Sequence, residues 1–406
     1  MPTAPGKPAT TGLPAKPAAA LAPTTPAKAP VKVAAAPSAP AAATAPAATA
    51  PADTARTVAQ ADTAKVLTPA EMAGQAHQAG QASFQARDFA AALASFTAAL
   101  AAKGDYAPAY SSRAAAQFEL KAYDLALADY DQALKLEPAN YAAYMGKAQV
   151  HEAQGKPAEA EQDYTEALKG GAGFGPAWYK RGVLRFERGE YQAAREDFDG
   201  AIRADRKDAY AYHDRASAQQ QLGNYLEATL DYTSALALLP GLLPALLNRA
   251  GAERHAGQLP QALKDYNAYL NARPDDALAY TNRGGARYET KDYQGAVADF
   301  TRALALDSAY VLALNNRAAA RLKLEEYGPA EADATRAIAL DAKYAEAYLN
   351  RGHAREMLRR PDEACQDWRK AAELGIEAGN SYAAGSGCGP AQAAPAAEPQ
   401  PEMAKK

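Results

Sequence analysis

Basic and acidic residues recur together along this chain at fixed distances. An arginine, in one case a lysine, returns at a constant interval, and an aspartate follows each of them at a second constant interval. The cations are Arg113, Lys147, Arg181, Arg215, Arg249, Arg283, Arg317 and Arg351, and the aspartates are Asp129, Asp163, Asp197, Asp231, Asp265, Asp299, Asp333 and Asp367. One further copy of the pattern has Ala79 and Ser95 instead, so both charges are missing together.

This joint loss of charge and countercharge favours a structural role. An ionised side chain on a partly buried face destabilises the fold unless it is paired. We therefore predict ion pairs within the copies, among them Arg181–Asp197, Arg215–Asp231 and Arg283–Asp299. The alternative is a row of arginines that bind an external ligand, and the joint loss makes it the weaker interpretation.

Catalytic or metal chemistry has little support in the sequence. The five histidines fall at unrelated places in the 34-residue pattern, no two of them are four residues apart, and no Cys-x-x-Cys motif occurs. Such spacings are what zinc sites require. No Ser-His-Asp or Cys-His arrangement can be assembled from the pattern either. We predict that the chain is not an enzyme and has no metal or cofactor.

The 34-residue period also predicts the elements that carry these charges. Nine copies follow one another without insertion, beginning at Ala73, Ala107, Tyr141, Gly175, Ala209, Leu243, Ala277, Val311 and Ala345. Positions 4, 8 and 11 of a copy share one helix face, and positions 20, 24 and 27 share another. Small residues at 8 and 20 and large ones at 4 and 24 let two helices pack closely. One such pair cannot bury both its faces, so the copies must stack.

The pattern resembles the tetratricopeptide repeat over residues 69–375. The resemblance implies an all-α fold of the alpha-alpha superhelix class, built from helix-turn-helix units. Thr68, Pro69 and Glu71 form a capping-box start for the first helix. The family also implies a concave groove, lined by the first helix of each unit, that holds an extended peptide or a partner helix.

Groove residues are assigned by the same resemblance, at positions 2, 5, 9, 12 and 13 of the fourth to seventh copies. They are Tyr179, Val183, Phe186, Tyr210, His213, Ser217, Gln220, Leu247, Arg254, Thr281 and Tyr288. Aromatic side chains beside hydrogen-bonding groups suit a protein ligand. The lysines that family members use to clamp a carboxylate are missing at positions 2 and 5. An open alternative is that many of these side chains pack against neighbouring copies.

The two ends of the chain have a different composition. Residues 1–67 are rich in Ala, Pro and Thr and predict a disordered tether, and residues 376–406 predict a flexible tail with at most a short cap. No apolar stretch is long enough for a membrane span, and no signal peptide is recognisable, so a cytoplasmic location is the default. A mis-assigned start would allow a periplasmic or cell-envelope location instead. The net charge of −3 argues against a nucleic-acid partner.

Two cysteines, Cys365 and Cys388, lie near the end of the chain. Taken alone, Cys365 is predicted to be a small apolar helix residue, and Cys388 an unrelated exposed thiol. The segment Ala364–Gly375, followed by a later cysteine, is similar to the last repeat of some bacterial tetratricopeptide proteins. This similarity implies a disulfide, which would require an oxidising compartment.

The combined prediction is a non-enzymatic scaffold or adaptor that binds a protein or peptide in a superhelical groove. An accessory subunit of an enzyme or of a cell-envelope or secretion assembly, with the chemistry supplied by its partner, is the alternative. The sequence does not identify the partner or the oligomeric state.

Overall fold

The computed structural model describes residues 67–171 and 173–388, which contain nineteen α-helices and no strand. The predicted tether, apart from residue 67, and residues 389–406 of the predicted tail lie outside this range. The fold is therefore all-α, as the sequence predicts. The helices are α1 (Pro69–Gln85), α2 (Phe89–Ala102), α3 (Ala107–Glu119), α4 (Tyr123–Leu136), α5 (Tyr141–Ala153), α6 (Pro157–Leu168), α7 (Gly175–Glu187), α8 (Tyr191–Ala204), α9 (Ala209–Gln221), α10 (Tyr225–Leu238), α11 (Leu243–His255), α12 (Leu259–Ala272), α13 (Ala277–Glu289), α14 (Tyr293–Leu306), α15 (Val311–Lys323), α16 (Tyr327–Leu340), α17 (Ala345–Met357), α18 (Pro361–Glu373) and α19 (Ala378–Gly385).

The described chain divides into two compact units between Gly241 and Leu242. The N-terminal unit contains α1–α10 and the C-terminal unit contains α11–α19. In each unit, consecutive helices pack as hairpins, α1 with α2, α3 with α4 and so on to α17 with α18. Each hairpin also packs on the next hairpin of its own unit.

A residue with positive φ lies in the turn of every hairpin. Four hairpins use glycine, with φ between 70° and 81°. The other five use Arg87, Lys121, Lys291, Glu325 and Arg359, with φ between 62° and 66°. Glycine adopts this conformation without a steric penalty, whereas a side chain makes it less favourable. Packing of the two helices therefore imposes the turn even where its own residue disfavours it.

The hairpin core forms where an aromatic side chain of the second helix meets a small residue of the first. Phe198 and Trp368 are 1% and 0% exposed. A Cβ atom added to Gly182 would lie 2.9 Å from the ring of Phe198, and one added to Gly352 would lie 2.5 Å from the indole of Trp368. In these two hairpins only a glycine leaves room for the ring. In others an alanine does so, since Ala148 packs in one buried cluster with Tyr164, and Ala250 in another with Tyr266.

A nineteenth helix, α19, follows the last hairpin and packs on α18. Tyr382 of α19 contacts the rings of His353 and Trp368 at centroid distances of 4.8 and 6.0 Å. Cys365 of α18 forms a disulfide with Cys388, directly beyond α19, with their Cα atoms 5.7 Å apart. The C-terminal helix is thus attached to the last hairpin by both aromatic contacts and a covalent bond.

Candidate protein-binding surfaces

Each hairpin from α3–α4 onward carries an ion pair between its two helices. The nitrogen–oxygen distances in the arginine hairpins lie between 2.6 and 2.7 Å, and Arg181–Asp197, Arg215–Asp231 and Arg283–Asp299 are among them. The aspartates are almost completely buried, with Asp197 1% exposed. Hydrogen bonding to Asp231 raises the pKa of Arg215, and hydrogen bonding to Asp129 raises that of Arg113.

The lysine hairpin α5–α6 differs from the others. Lys147 Nζ lies 3.9 Å from Asp163 but 2.9 Å from Asp131 of the preceding hairpin. His151 Nδ1 takes the place beside Asp163, 2.8 Å from its carboxylate. A lysine has one compact charge and does not bind both carboxylates closely, as a guanidinium does.

The arginines also reach backward along the chain, a contact that we did not predict from the sequence. Arg181 Nη1 donates to Thr165, Arg215 Nη1 to Asp199 and Arg283 Nη1 to Asn267, at 2.7–2.9 Å. Arg317 makes the same contact with Thr301 at 3.0 Å. Every acceptor belongs to the preceding hairpin and precedes its arginine by the same interval along the chain. One guanidinium thus links the two helices of its own hairpin and joins that hairpin to the previous one.

Four hairpins add a second arginine to the same aspartate. Arg185, Arg287, Arg321 and Arg355 lie four residues after the first arginine and contact the aspartate at 2.6–3.0 Å. Two guanidiniums then share one carboxylate. Such a triad by itself carries an excess positive charge.

An open cleft of about 760 Å³ lies among α7, α8 and α9 of the N-terminal unit. Five arginines, three carboxylates, Trp178 and Gln219 line it: Arg181, Arg185, Arg195, Arg203, Arg215, Glu196, Asp197 and Asp199. The guanidinium of Arg181 stacks over Trp178, 5.0 Å from the ring centroid. Gly200 makes space for Trp178, because a Cβ atom there would lie 2.5 Å from the indole.

The charges on the lining of this cleft do not balance. Asp197 is shared by Arg181 and Arg185, and Asp199 is shared by Arg203 and Arg215. Behind the lining, Arg185 and Arg215 each contact one further carboxylate. Within the described residues, Arg195 has no carboxylate at ion-pair distance. Gln219 is 9% exposed, and its Oε1 atom has no hydrogen-bond partner among those residues. The cleft surface therefore offers more guanidiniums than carboxylates, together with a polar side chain.

The groove residues assigned to the N-terminal unit are mostly covered. Tyr210 is exposed, at 38%. Tyr179, Val183, Phe186, Ser217 and Gln220 are half-buried, and His213 is buried. Tyr179 donates to Asp214 at 2.6 Å, and burial together with this aspartate raises its pKa. The hydroxyl of Tyr232 bonds to Ser217 and Gln220 at 3.1 and 3.0 Å, so these polar groups are used within the fold.

The four groove residues assigned to the C-terminal unit are all buried. Leu247, Arg254, Thr281 and Tyr288 are between 0% and 8% exposed. Arg254 donates to Glu289 at 2.6 Å from one nitrogen and 2.9 Å from another, and its guanidinium packs on Gly285. Burial raises the pKa of Tyr288 to about 12. Most of the assigned positions thus pack against neighbouring helices, as the alternative interpretation of the sequence allows.

The comparisons with known proteins agree with this architecture. The sequence profile of the tetratricopeptide repeat matches residues 77–136, 123–176, 153–209, 179–242 and 247–311, more than half of the chain. The chain belongs to the tetratricopeptide repeat family. It matches no curated protein.

Several solved structures are similar to the chain at low sequence identity. YrrB, described as a TPR protein with an unusual peptide-binding site, is 23% identical with a TM-score of 0.43, and the match covers 45% of this chain and 95% of YrrB. The C-terminal part of a TPR protein from Cytophaga hutchinsonii is 20% identical with a TM-score of 0.49, covering 59% and 98%. Yeast Tom70 is 13% identical with a TM-score of 0.40, covering 78% and 95%.

The family membership identifies the fold as that of a protein–protein interaction scaffold. Proteins of this type are typically non-enzymatic. Among the described helices, none has the length and apolar character that a membrane span needs. In the same residues, no group of three or more His, Cys, Asp or Glu side chains is arranged to hold a metal ion.

Proposed function

We propose that the chain is a non-enzymatic scaffold that binds an acidic segment of a protein partner in the arginine-lined cleft of the N-terminal unit. The observation that carries this proposal is the composition of the cleft lining, which has five guanidiniums and three carboxylates. Guanidinium groups bind carboxylates through charge-assisted hydrogen bonds. The overall charge of −3 does not oppose the proposal, because the surplus is local.

Trp178 and Gln219 are the uncharged side chains of the cleft lining. The indole of Trp178 provides apolar contact area, and buried aromatic groups beside arginines are typical of binding hot spots. Gln219 adds a polar side chain to the lining. These features suit an extended peptide chain that carries several Asp or Glu residues.

A direct test uses the full chain and a fluorescent peptide of alternating Glu and Ser residues. A peptide of equal length with Gln in place of Glu serves as the neutral probe. We expect the acidic peptide to bind more tightly and to lose affinity as salt is added, since exposed charges are screened. Replacing Arg195→Gln and Arg203→Gln together should weaken binding by about tenfold, at roughly 0.7 kcal/mol for each charge.

The matched control is the double variant Arg273→Gln and Arg302→Gln. Both arginines are exposed and lie in the C-terminal unit, so the change in net charge is the same but the cleft is intact. Its affinity for the acidic peptide should equal that of the parent chain. Equal binding of the acidic and neutral peptides, or equal weakening in both double variants, would contradict the proposal.

The inner surface of the first helices remains a second contact surface in this proposal. Tyr210 is its exposed member in the N-terminal unit and can pack directly on a partner. The half-buried Tyr179 and the buried His213 would act by holding the helices in place. Tyr210→Ala should therefore weaken a partner that extends from the cleft onto this surface.

The disulfide supports a second candidate function, an accessory subunit of a cell-envelope assembly. The Cys365–Cys388 bond persists in an oxidising compartment and is rarely retained in a reducing one. Thiol titration of the protein purified under alkylating conditions tests this. A single population with both thiols free would favour the cytoplasmic alternative.

A further inference from the structure

Glu253 of α11 stands where four other hairpins have an arginine. Arg185, Arg287, Arg321 and Arg355 each lie four residues after the first arginine of their hairpin and contact its aspartate. In the α11–α12 hairpin, the residue at this place is a carboxylate. The aspartate of this hairpin is Asp265, so the residue at the place of the second arginine has the same sign of charge as the aspartate.

The surroundings of Glu253 leave one of its oxygens without a partner. Glu253 is 6% exposed, and its Oε2 atom is buried with no hydrogen-bond partner among the described residues. Its Oε1 atom is 3.9 Å from Arg249 Nε, whereas the same nitrogen lies 2.6 Å from Asp265. One guanidinium therefore serves two carboxylates and binds Asp265 more closely.

Within the described part of the C-terminal unit, no cation other than Arg249 lies at ion-pair distance from Glu253. Lys264 and Asp265 are the charged groups of α12 that act on Glu253, and Arg249 is the one on α11 itself. The neighbouring Arg254 is held by Glu289 of α13. Burial, followed by the charge of Asp265, raises the pKa of Glu253 to about 7 against the opposing effects of Arg249 and Lys264.

We infer that Glu253 makes the α11–α12 hairpin a pH-sensitive joint, which is firm when this carboxyl is protonated and loosens when it ionises. A protonated carboxyl carries no charge, so its burial costs less than that of a carboxylate. An ionised one is a buried charge close to another of the same sign.

The sign of the pH dependence follows from the direction of the shift. The folded hairpin holds the proton more tightly than the unfolded chain, whose glutamate titrates near its ordinary value of 4.5. Between that value and about 7, the folded state binds more protons, so stability falls as pH rises. Above about 7 the group is ionised in both states, and the loss is complete.

The test is hydrogen exchange of the full chain, followed by mass spectrometry on peptides covering α11 and α12. After correction for the intrinsic exchange rate, we expect protection there to fall by about tenfold or more between about pH 5 and pH 8, since one unit of pKa shift corresponds to a tenfold change. The variant Glu253→Gln should show no such fall. The variant Glu253→Arg, which installs the residue type of the four triads, should also abolish it and raise protection at the upper end of this pH range.

Glu373→Gln is the matched control, because this glutamate is exposed and lies in the same unit. Its protection in α11 and α12 should follow that of the parent chain at every pH. The inference is overturned if the parent and Glu253→Gln have parallel profiles. It is also overturned if the fall occurs near the ordinary glutamate value of 4.5. Neither outcome depends on the acidic-peptide assay, so the two proposals can fail separately.

Discussion

The first and last helical hairpins of the described chain are held together by different forces. The α1–α2 hairpin has Ala79 and Ser95 where the others have an ion pair, and it closes around Phe96, which is 1% exposed. The α17–α18 hairpin has Asp367 bound by both Arg351 and Arg355, and the Cys365–Cys388 disulfide attaches a further helix to it.

The difference indicates why the charges are placed as they are. An arginine at this position contacts an aspartate ahead of it and, in several hairpins, a polar residue in the hairpin behind it. No described helix precedes α1, so a cation in place of Ala79 would have no such second partner among the described residues. The ion pairs therefore belong to hairpins that have a predecessor to bind.

The largest expected effect is at the C-terminal hairpin. Asp367→Ala leaves the guanidiniums of Arg351 and Arg355 partly buried without their shared carboxylate, and we expect a loss of about 3–5 kcal/mol in the local free energy of unfolding. Ser95→Ala in the first hairpin should change stability by no more than about 0.5 kcal/mol. Urea denaturation combined with hydrogen exchange of each hairpin measures both. Similar losses in the two variants would remove the contrast between the hairpins.

The disulfide should have the next largest effect. Replacing both Cys365 and Cys388 with Ser opens a loop of 23 residues, and the chain-entropy estimate of the cost is about 3 kcal/mol. The loss should be confined to α18 and α19, with the N-terminal unit unchanged. The parent chain in reductant should behave like the variant under the same conditions. If reductant has no effect on the denaturation midpoint, the covalent bond does not stabilise this end.

The smallest expected effect concerns the start of α1. Thr68 accepts a hydrogen bond from the Glu71 amide, and the Glu71 carboxylate accepts one from the Thr68 amide at 2.8 Å. Thr68→Ala should cost about 1 kcal/mol and increase amide exchange in the first turn of α1. Thr97→Ala is the control, because the Thr97 hydroxyl donates only to a carbonyl within its own helix. Equal exchange in both variants would show that the cap contributes nothing.

Much of the fold could be predicted from the sequence because it depends on local periodicity. The spacing of Gly182 and Phe198, or of Gly352 and Trp368, follows directly from the packing of one helix on the next within a hairpin. The capping box at Thr68 is equally local. The all-α fold class and the family are confirmed.

The candidate site could be predicted far less well, because it depends on contacts between hairpins. Burial of Thr281 and Leu247 is set by how closely consecutive hairpins stack, and a single repeat does not encode that distance. The second partner of these four arginines was missed because the acceptors vary in type, from Thr165 to Asp199 and Asn267. Their shared polar character, at one constant interval before each arginine, was the signal that could have indicated it.

Several arginines bind both the aspartate of their own hairpin and a polar residue of the preceding hairpin. These paired contacts also limit which insertions and deletions the chain can accommodate. Each such arginine needs one partner ahead of it and one behind it at fixed distances along the chain, so a single inserted residue would break one of the two contacts. Loss of a whole copy preserves both. Removing residues 175–208, for example, would bring Thr165 to the place before Arg215 where Asp199 now lies. Thr165 already accepts a hydrogen bond from Arg181, so in the rejoined chain it could accept one from Arg215 in the same way. We therefore expect gene duplication or deletion in steps of one whole copy to preserve these contacts, and shorter changes to break them.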